Sequence, residues 1–194
     1  MKAQTTEVTI KDQLKETAGT EALASSVSGS DYTQQLYDLV TQQPFFKGLS
    51  ARHLQVLADS AMQIEFKSGE WILSQGDLAN RFYLILAGKV VLESELKERG
   101  LMPIRTLGAG DDLGWAWLFP PYYMSFSARA IEPVRAIFFY GTRLRQQCED
   151  DHELGYELLK RIAEVVIINL QATQQRLMEC ADASNLPNLP AATS

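Results

Sequence analysis

The sequence Phe-Tyr-Leu-Ile-Leu-Ala-Gly-Lys-Val occupies residues 82–90. Phe82, Leu84 and Leu86 alternate along it, and Gly88 supplies a turn before Val90 resumes the pattern, so the stretch predicts short strands on either side of the turn. Similar short runs surround it, separated by turn-forming residues at 67–69, 75–77 and 107–110. Short strands with glycine-bearing turns at close intervals predict an antiparallel sandwich or barrel. Two more strands are expected at residues 126–131 and 134–139.

Helical spacing flanks the predicted strands on both sides. A short helix is expected over residues 32–40, and a second one after Ser50, a good N-cap residue. From Asp151 onward apolar residues recur every three or four positions, which predicts a helix of nearly thirty residues at about 152–178. The middle of that helix is apolar almost all round, so it needs to bury two faces.

Both ends of the chain differ in composition from its middle. Residues 1–30 contain no aromatic residue and end in a Ser/Gly cluster, which predicts a mobile leader. Residues 181–194 contain two prolines and few large side chains, which predicts a tail. The folded domain is therefore expected at residues 31–180.

Charge and cysteine content exclude several classes of function. The 194 residues carry 18 Lys and Arg against 24 Asp and Glu, a net charge of −6 that is unfavourable for binding a phosphate backbone. Cys148 and Cys180 have neither disulfide-framework nor metal-ligand spacing. Neither a signal peptide nor a membrane-spanning apolar run is present. We expect a cytoplasmic protein without direct contacts to nucleic acid or membrane.

Motifs for catalysis are missing as well. The two histidines, His53 and His152, both lie on predicted helices, and the sequence contains no P-loop, no G-x-G-x-x-G and no nucleophile elbow. His152 stands among acids, as expected at the solvated start of a helix. The sequence therefore predicts no metal site, no catalytic residue and no enzyme.

Three stretches carry a resemblance to a known family. They are Phe-Phe-Lys-Gly-Leu-Ser at 45–50, Lys-Ser-Gly-Glu-Trp-Ile-Leu-Ser-Gln-Gly-Asp at 67–77, and the strand pair at 82–90. Their order and spacing resemble the cyclic-nucleotide-binding-domain superfamily, in particular its Crp/Fnr-type sensor domains. The resemblance implies a mainly β fold, a double-stranded β-helix (jelly-roll) barrel with flanking helices and a long C-terminal helix.

The family's phosphate-binding cassette is present in altered form. Gly-Asp-Asp-Leu-Gly at 110–114 resembles its lead-in. Trp115 follows where the family has the Glu that takes the ribose hydroxyl, and Met124 stands where it has the Arg that pairs with the cyclic phosphate. A buried phosphate without its cation costs at least about 1.5–3 kcal/mol. The sequence therefore predicts no particular cofactor, and a cyclic nucleotide is expected to bind weakly at most.

The resemblance and the aromatic residues of 115–126 define a candidate pocket. Its predicted residues are Leu92, Arg105, Leu113, Gly114, Trp115, Ala116, Met124, Ser125, Phe126 and Thr173. Two interpretations stay open: a pocket rebuilt for an apolar or aromatic ligand, or a pocket filled by its own side chains. Arg105 is either a substitute cation or a solvated strand residue. The Thr173 hydroxyl either meets a ligand or bonds to its own helix.

The long helix and the chain length complete the functional hypothesis. One apolar face of the helix can lie on the barrel, and a dimer seam is predicted for the other at Ile162, Val166, Leu170, Thr173 and Leu177. The alternative is that both faces are covered within the monomer. Gene-regulating relatives carry a helix-turn-helix domain of about seventy residues after this helix, whereas fourteen residues follow Cys180. We therefore expect a non-catalytic sensor or regulatory module that is a homodimer and acts through a protein partner. The alternative is an architectural protein with a filled pocket.

Overall fold

The computed structural model describes residues 29–96 and 100–184, with four helices and eight strands. The helices are α1 (Gly29–Thr41), α2 (Ala51–Ala58), α3 (Gly141–Asp150) and α4 (His152–Ser184), with short 310 helices at Pro44–Phe46 and Trp115–Leu118. The strands are β1 (Ala61–Phe66), β2 (Trp71–Leu73), β3 (Arg81–Ala87), β4 (Val90–Leu96), β5 (Gly100–Leu107), β6 (Asp112–Leu113), β7 (Ser127–Ala130) and β8 (Val134–Tyr140). Most of the predicted leader (1–28) and tail (185–194) lie outside the described residues.

The strands form two four-stranded antiparallel sheets. The first sheet has the order β1-β8-β3-β6 and the second has the order β2-β7-β4-β5. The turn between β3 and β4 requires Gly88, because a Cβ there would lie 2.1 Å from the carbonyl oxygen of Pro133. The predicted mainly β class, with flanking helices and a long last helix, is confirmed.

The first sheet is buried on both of its faces. Phe82 and Leu84 of β3 point into one hydrophobic core, whereas their neighbours Tyr83 and Ile85 point into another. The first core comprises Leu36, Val40, Phe46, Leu49, Leu57, Ala58, Ala61, Phe82, Leu84, Trp117, Ile137, Phe139, Leu144, Leu154, Leu158 and Ile162. The second core fills the space between the sheets and comprises Ile72, Leu73, Ala79, Tyr83, Ile85, Val90, Leu92, Leu107, Leu113, Met124, Ala128, Ala130, Val134, Ala136 and Phe138.

Helix α3 is an element that the hydrophobic pattern did not predict. Its sequence, Gly-Thr-Arg-Leu-Arg-Gln-Gln-Cys-Glu-Asp, holds one fully buried apolar side chain, Leu144, so no apolar period marks it. Gly141 begins the helix tightly against the 310 segment, where a Cβ would lie 2.6 Å from the Cβ of Trp117. The helix therefore forms because of its packing rather than its amphipathic pattern.

Asp151 separates α3 from α4 and ties α4 to α2. Its carboxylate accepts a hydrogen bond from the Leu154 backbone N–H and lies 3.0 Å from the Arg52 guanidinium and 3.4 Å from the buried His53 ring. The hydrogen bond to Leu154 is the main cause that lowers the pKa of Asp151. The start of the long helix is thus fixed by a cap and an ion pair.

Helix α4 is buried in the first core along its first half only. Leu154, Leu158 and Ile162 are buried in the first core. After Val166, which packs half-buried against the same core, apolar side chains become exposed, as Leu170 and Leu177 show. The predicted dimer seam therefore needs correction: Ile162 is fully buried inside its own domain and has no surface to offer a second copy.

The two adjacent leucines Leu158 and Leu159 test this division of α4. Leu158 is 1% exposed and Leu159 is 43% exposed. We expect Leu158→Ala to lower the free energy of unfolding by about 2–5 kcal/mol, because it leaves a cavity in the first core. Leu159→Ala is the matched control and should change it by less than about 0.5 kcal/mol. Urea titrations measure both, and equal effects would contradict the assignment.

Candidate functional site

A cavity of about 310 Å³ lies between the barrel and α4. The barrel and the 310 segment supply Leu92, Ile104, Arg105, Leu107, Asp111, Asp112, Leu113, Gly114, Trp115 and Phe126, and α4 supplies Val165, Ile168, Asn169, Ala172, Thr173 and Arg176. Its volume falls at the lower end of the range typical of small-molecule sites. The wall is mainly apolar, with polar groups concentrated at β5, at the segment before β6 and on α4.

Gly114 positions the barrel side of the cavity. Its φ is 91°, and a Cβ there would lie 2.5 Å from the Arg81 carbonyl oxygen, so the position requires glycine. The 310 helix Trp115–Leu118 starts directly after it. Trp115 is half-buried, packs against the first core and lines the cavity, whereas Trp117 is fully buried in that core, with its ring centroid 6.2 Å from that of Phe82.

Two arginines connect β5 to α4 at the cavity. The Arg105 guanidinium donates a hydrogen bond to Asn169 Oδ1, and its Nη2 lies 3.8 Å from Asp111 Oδ1. Arg176 Nη1 donates to the carbonyl oxygen of Ile104 over 2.7 Å. These contacts hold the exposed half of α4 against the strand that forms one wall of the cavity.

Asp112 is the most perturbed acid of the cavity. Its Oδ2 is buried, and no described residue gives it a hydrogen bond. Burial raises its pKa to about 6; a hydrogen bond from its own backbone N–H opposes the rise, the Asp111 charge adds to it, and the Arg105 charge opposes it. A carboxylate in this position is an unfavourable charge that the fold tolerates beside the cavity.

The fold and the sequence were compared with known proteins. Residues 63–151 match the model of the cyclic nucleotide-binding domain family. A putative cyclic nucleotide-binding protein from Geobacter metallireducens has a similar structure, with a TM-score of 0.62, 28% identity, and coverage of 71% of this chain and 97% of that one. Residues 63–151 are thus similar to a cyclic nucleotide-binding domain, and the fold is similar to that of the Geobacter protein.

Two further proteins are similar to parts of this chain. A CRP-like cAMP-activated global transcriptional regulator of Mycobacterium tuberculosis is 24% identical over 65% of this chain and 56% of its own length. The chain thus spans little more than half of that relative. The regulatory subunit of a cAMP-independent protein kinase A from Trypanosoma brucei shares the fold, with a TM-score of 0.63, 22% identity, and coverage of 78% of this chain and 54% of that one.

The domain brings most of the predicted pocket residues together. Those that line the cavity are Leu92, Arg105, Leu113, Gly114, Trp115, Phe126 and Thr173. Arg105 is more than a solvated strand residue, since Asn169 and Asp111 contact it. The Thr173 hydroxyl donates to the Asn169 carbonyl oxygen over 2.8 Å, so it bonds to its own helix although it lies at the cavity.

Three predicted pocket residues lie elsewhere in the domain. Met124 is 2% exposed and belongs to the second core, Ala116 packs half-buried against that core, and Ser125 faces solvent. The placement of Met124 follows from hydrogen bonds of its backbone N–H and carbonyl to Asp77 and Gly76, which hold it beneath the loop between β2 and β3.

Arg129 is the arginine closest in sequence to Met124, and it is engaged outside the cavity. Its guanidinium makes two hydrogen bonds to the buried Glu93, of 2.8 and 3.2 Å, and lies 5.4 Å from the ring centroid of Trp71. Hydrogen bonding to the Glu93 carboxylate is the main cause that raises the pKa of Arg129. It is therefore not available to replace the family's phosphate-binding arginine.

The aromatic residues after the 310 segment divide between the cavity and the surface. Phe119, Tyr122 and Tyr123 are exposed, and Arg145 covers the Tyr122 ring at 4.6 Å while donating to the Trp117 carbonyl oxygen. Only part of the aromatic stretch therefore shapes the cavity, and it leaves the space open rather than filling it.

The polar cavity residues of α4 were missed because they lie outside its apolar pattern, and Val165, Ile168 and Ala172 were interpreted only as part of that pattern. Asn169 and Arg176 lie four residues before and three residues after Thr173, so they share its face of α4. That spacing is a signal that would have found them once Thr173 was placed at the cavity. Asp112 carried no such signal, because its burial depends on how β6 pairs with β3.

A separate cluster of potential metal ligands lies at the start of α4. Ligand-type atoms of His53, Asp151 and Glu153 come within 4.8 Å of one another. The Arg52 guanidinium already contacts Asp151, and a cation there would face that positive charge. We therefore interpret the cluster as the link between α2 and α4. Across residues 29–96 and 100–184, no helix has the length and hydropathy needed to cross a bilayer.

Removing the charge of Asp112 should stabilise the domain at neutral and alkaline pH. Its pKa is about 6 in the folded state and 3.8 as a free side chain, so folding is penalised above pH 6 and the penalty disappears as the pH falls towards 4. We expect Asp112→Asn to raise the free energy of unfolding by about 2 kcal/mol at pH 8. Urea titrations from pH 4 to 8 measure it, and a difference that is constant with pH would contradict the assignment.

Proposed function

We propose that this protein is a non-catalytic regulatory module whose cavity binds a small molecule. We expect that it does not bind a cyclic nucleotide in the way that is usual for the family. The single observation that carries the proposal is the open cavity between the barrel and α4, lined by Trp115 and Arg105. An architectural protein with a filled pocket is disfavoured by the same observation. The absence of a catalytic constellation in the sequence supports a binding role rather than an enzymatic one.

The composition of the cavity disfavours cyclic AMP. An indole at position 115 offers no acceptor for a ribose hydroxyl, because the Trp side chain is a hydrogen-bond donor only. Met124 is turned into the second core, and Arg129 is paired with Glu93. The Trypanosoma relative, described as the regulatory subunit of a cAMP-independent kinase, is consistent with other uses of this fold.

We propose that ligand binding is transmitted to a partner by a change in the position of α4. Val165 and Ile168 of this helix contact the cavity, so a ligand that prefers one position of the helix shifts the population towards it. On the face of α4 away from the cavity, the helix exposes Ile167, Leu170 and Leu177, an apolar line that suits a second copy or a partner protein. We propose that the protein acts as a homodimer in the cytoplasm, with a protein partner and without direct contact to nucleic acid.

The ligand hypothesis is tested on the purified protein. We expect native mass spectrometry to detect either a small molecule that co-purified with the protein or an empty protein that can take one up. We expect calorimetric titration with cyclic AMP and cyclic GMP to give no saturable heat in the micromolar range. The loss of the Glu and Arg contacts is expected to weaken binding at least about tenfold to a hundredfold. Micromolar binding of either nucleotide would overturn this part of the proposal.

The dimer hypothesis has its own matched pair of variants. Leu170 is exposed on the apolar line, and Gln171 is an exposed polar neighbour. Leu170→Glu introduces a charge that must be desolvated in a seam, so it should halve the molar mass at tens of micromolar protein. Gln171→Glu should leave the molar mass unchanged. Light scattering after size exclusion measures both, and a wild-type monomer would rule the dimer out.

A further inference from the structure

The arginines of the cavity retain hydrogen-bond donors. A guanidinium has five N–H groups. Among the described residues, Arg105 donates one hydrogen bond, to Asn169 Oδ1, and Arg176 donates one, to the Ile104 carbonyl oxygen. The Arg105 side chain is 35% exposed, so its remaining donors are open to the cavity rather than sealed in the core.

The acids of the cavity have fewer free hydrogen-bonding positions for a ligand than the arginines, although the Asp111 side chain is about as exposed as that of Arg105, 39% against 35%. Asp111 accepts a hydrogen bond of 2.8 Å from the Gly108 N–H through Oδ2 and faces Arg105 through Oδ1. Asp112 Oδ2 is buried and out of reach. A ligand therefore meets free guanidinium donors but few free carboxylate acceptors, which favours a negatively charged group.

The rest of the wall is suited to an apolar body. Carbon-rich side chains surround the polar end of the cavity: Leu92, Ile104, Leu107, Leu113, Trp115, Phe126, Val165 and Ile168. They provide little that can hydrogen-bond a sugar. Burial of an aromatic or aliphatic group against them is favourable in proportion to the area removed from water.

We infer that the cavity takes an apolar organic anion, whose carboxylate or sulfonate group binds Arg105 and Arg176 while its apolar body packs on Trp115 and Phe126. This inference rests on the proposed function, because it assigns a ligand class to the same cavity. The donors come from β5 and α4, whereas the stretch that resembles the phosphate-binding cassette supplies apolar side chains and the acids Asp111 and Asp112. An anion thus binds where the barrel meets the helix.

A pair of fluorescent probes that differ in one charged group tests the inference. 8-Anilinonaphthalene-1-sulfonate and N-phenyl-1-naphthylamine share an aromatic skeleton, and only the first carries a sulfonate. We expect the sulfonate to bind the wild-type protein more tightly, and Arg105→Gln or Arg176→Gln to weaken it by about tenfold. The affinity of the uncharged probe should stay within about twofold of wild type, which also shows that the cavity is intact in each variant.

Control variants test whether the probe lies in the cavity and whether the charges of the cavity determine its affinity. Lys47 lines a neighbouring cleft between the Pro44–Phe46 segment and α4, so Lys47→Gln removes a cation close by and should leave both affinities unchanged. Asp112→Asn removes a negative charge beside the cavity and should strengthen sulfonate binding only. Energy transfer from tryptophan to the bound probe should fall in Trp115→Phe, because that indole lines the cavity.

The outcomes separate this inference from the proposed function. Equal affinities of the two probes, or loss of both in the arginine variants, would overturn the preference for an anion. A neutral or cationic ligand found by native mass spectrometry would overturn it too, while leaving the regulatory role in place. A cavity that excludes both probes and carries no co-purified molecule would overturn the inference and the proposed function together.

Discussion

Burial of the first sheet on both faces is the constraint on which the rest of the molecule depends. Strand β3 has four consecutive buried residues, Phe82 to Ile85, so alternate side chains must each find an apolar partner on opposite sides. The barrel covers one side, and the helices with Trp117 cover the other. Without the helices, Phe82 and Leu84 would face water, so the barrel and the helical layer stabilise each other and fold as one unit.

This constraint also explains why the cavity lies where it does. Trp117 is buried in the first core and Met124 in the second core, so both ends of the segment between them are fixed by burial. Trp115 precedes the first anchor and Phe126 follows the second, and both remain at the cavity between barrel and helix. The helix α4 leaves the core just there, after Val166, so its wall of the cavity consists of residues no longer held by the first core.

The sequence predicted the elements whose apolar residues repeat with a regular period. The short strands around Gly88, the helix after Ser50 and the long last helix were found in this way, because one buried face imposes its spacing on the sequence. Helix α3 was missed, since its burial rests on Leu144 and on the close approach of Gly141 to Trp117. Ile162 was assigned to a dimer seam because periodicity shows that a side chain is buried, not what covers it.

Arg105 and Arg176 join α4 to β5 through the groups that a bound anion would claim. Among the described residues, each guanidinium uses one N–H for this link and keeps the others free. An anion that takes the free donors of both arginines adds a second connection between the strand and the helix without breaking the first. Occupancy of the cavity is then expected to tighten the attachment of the outer half of α4 to the barrel.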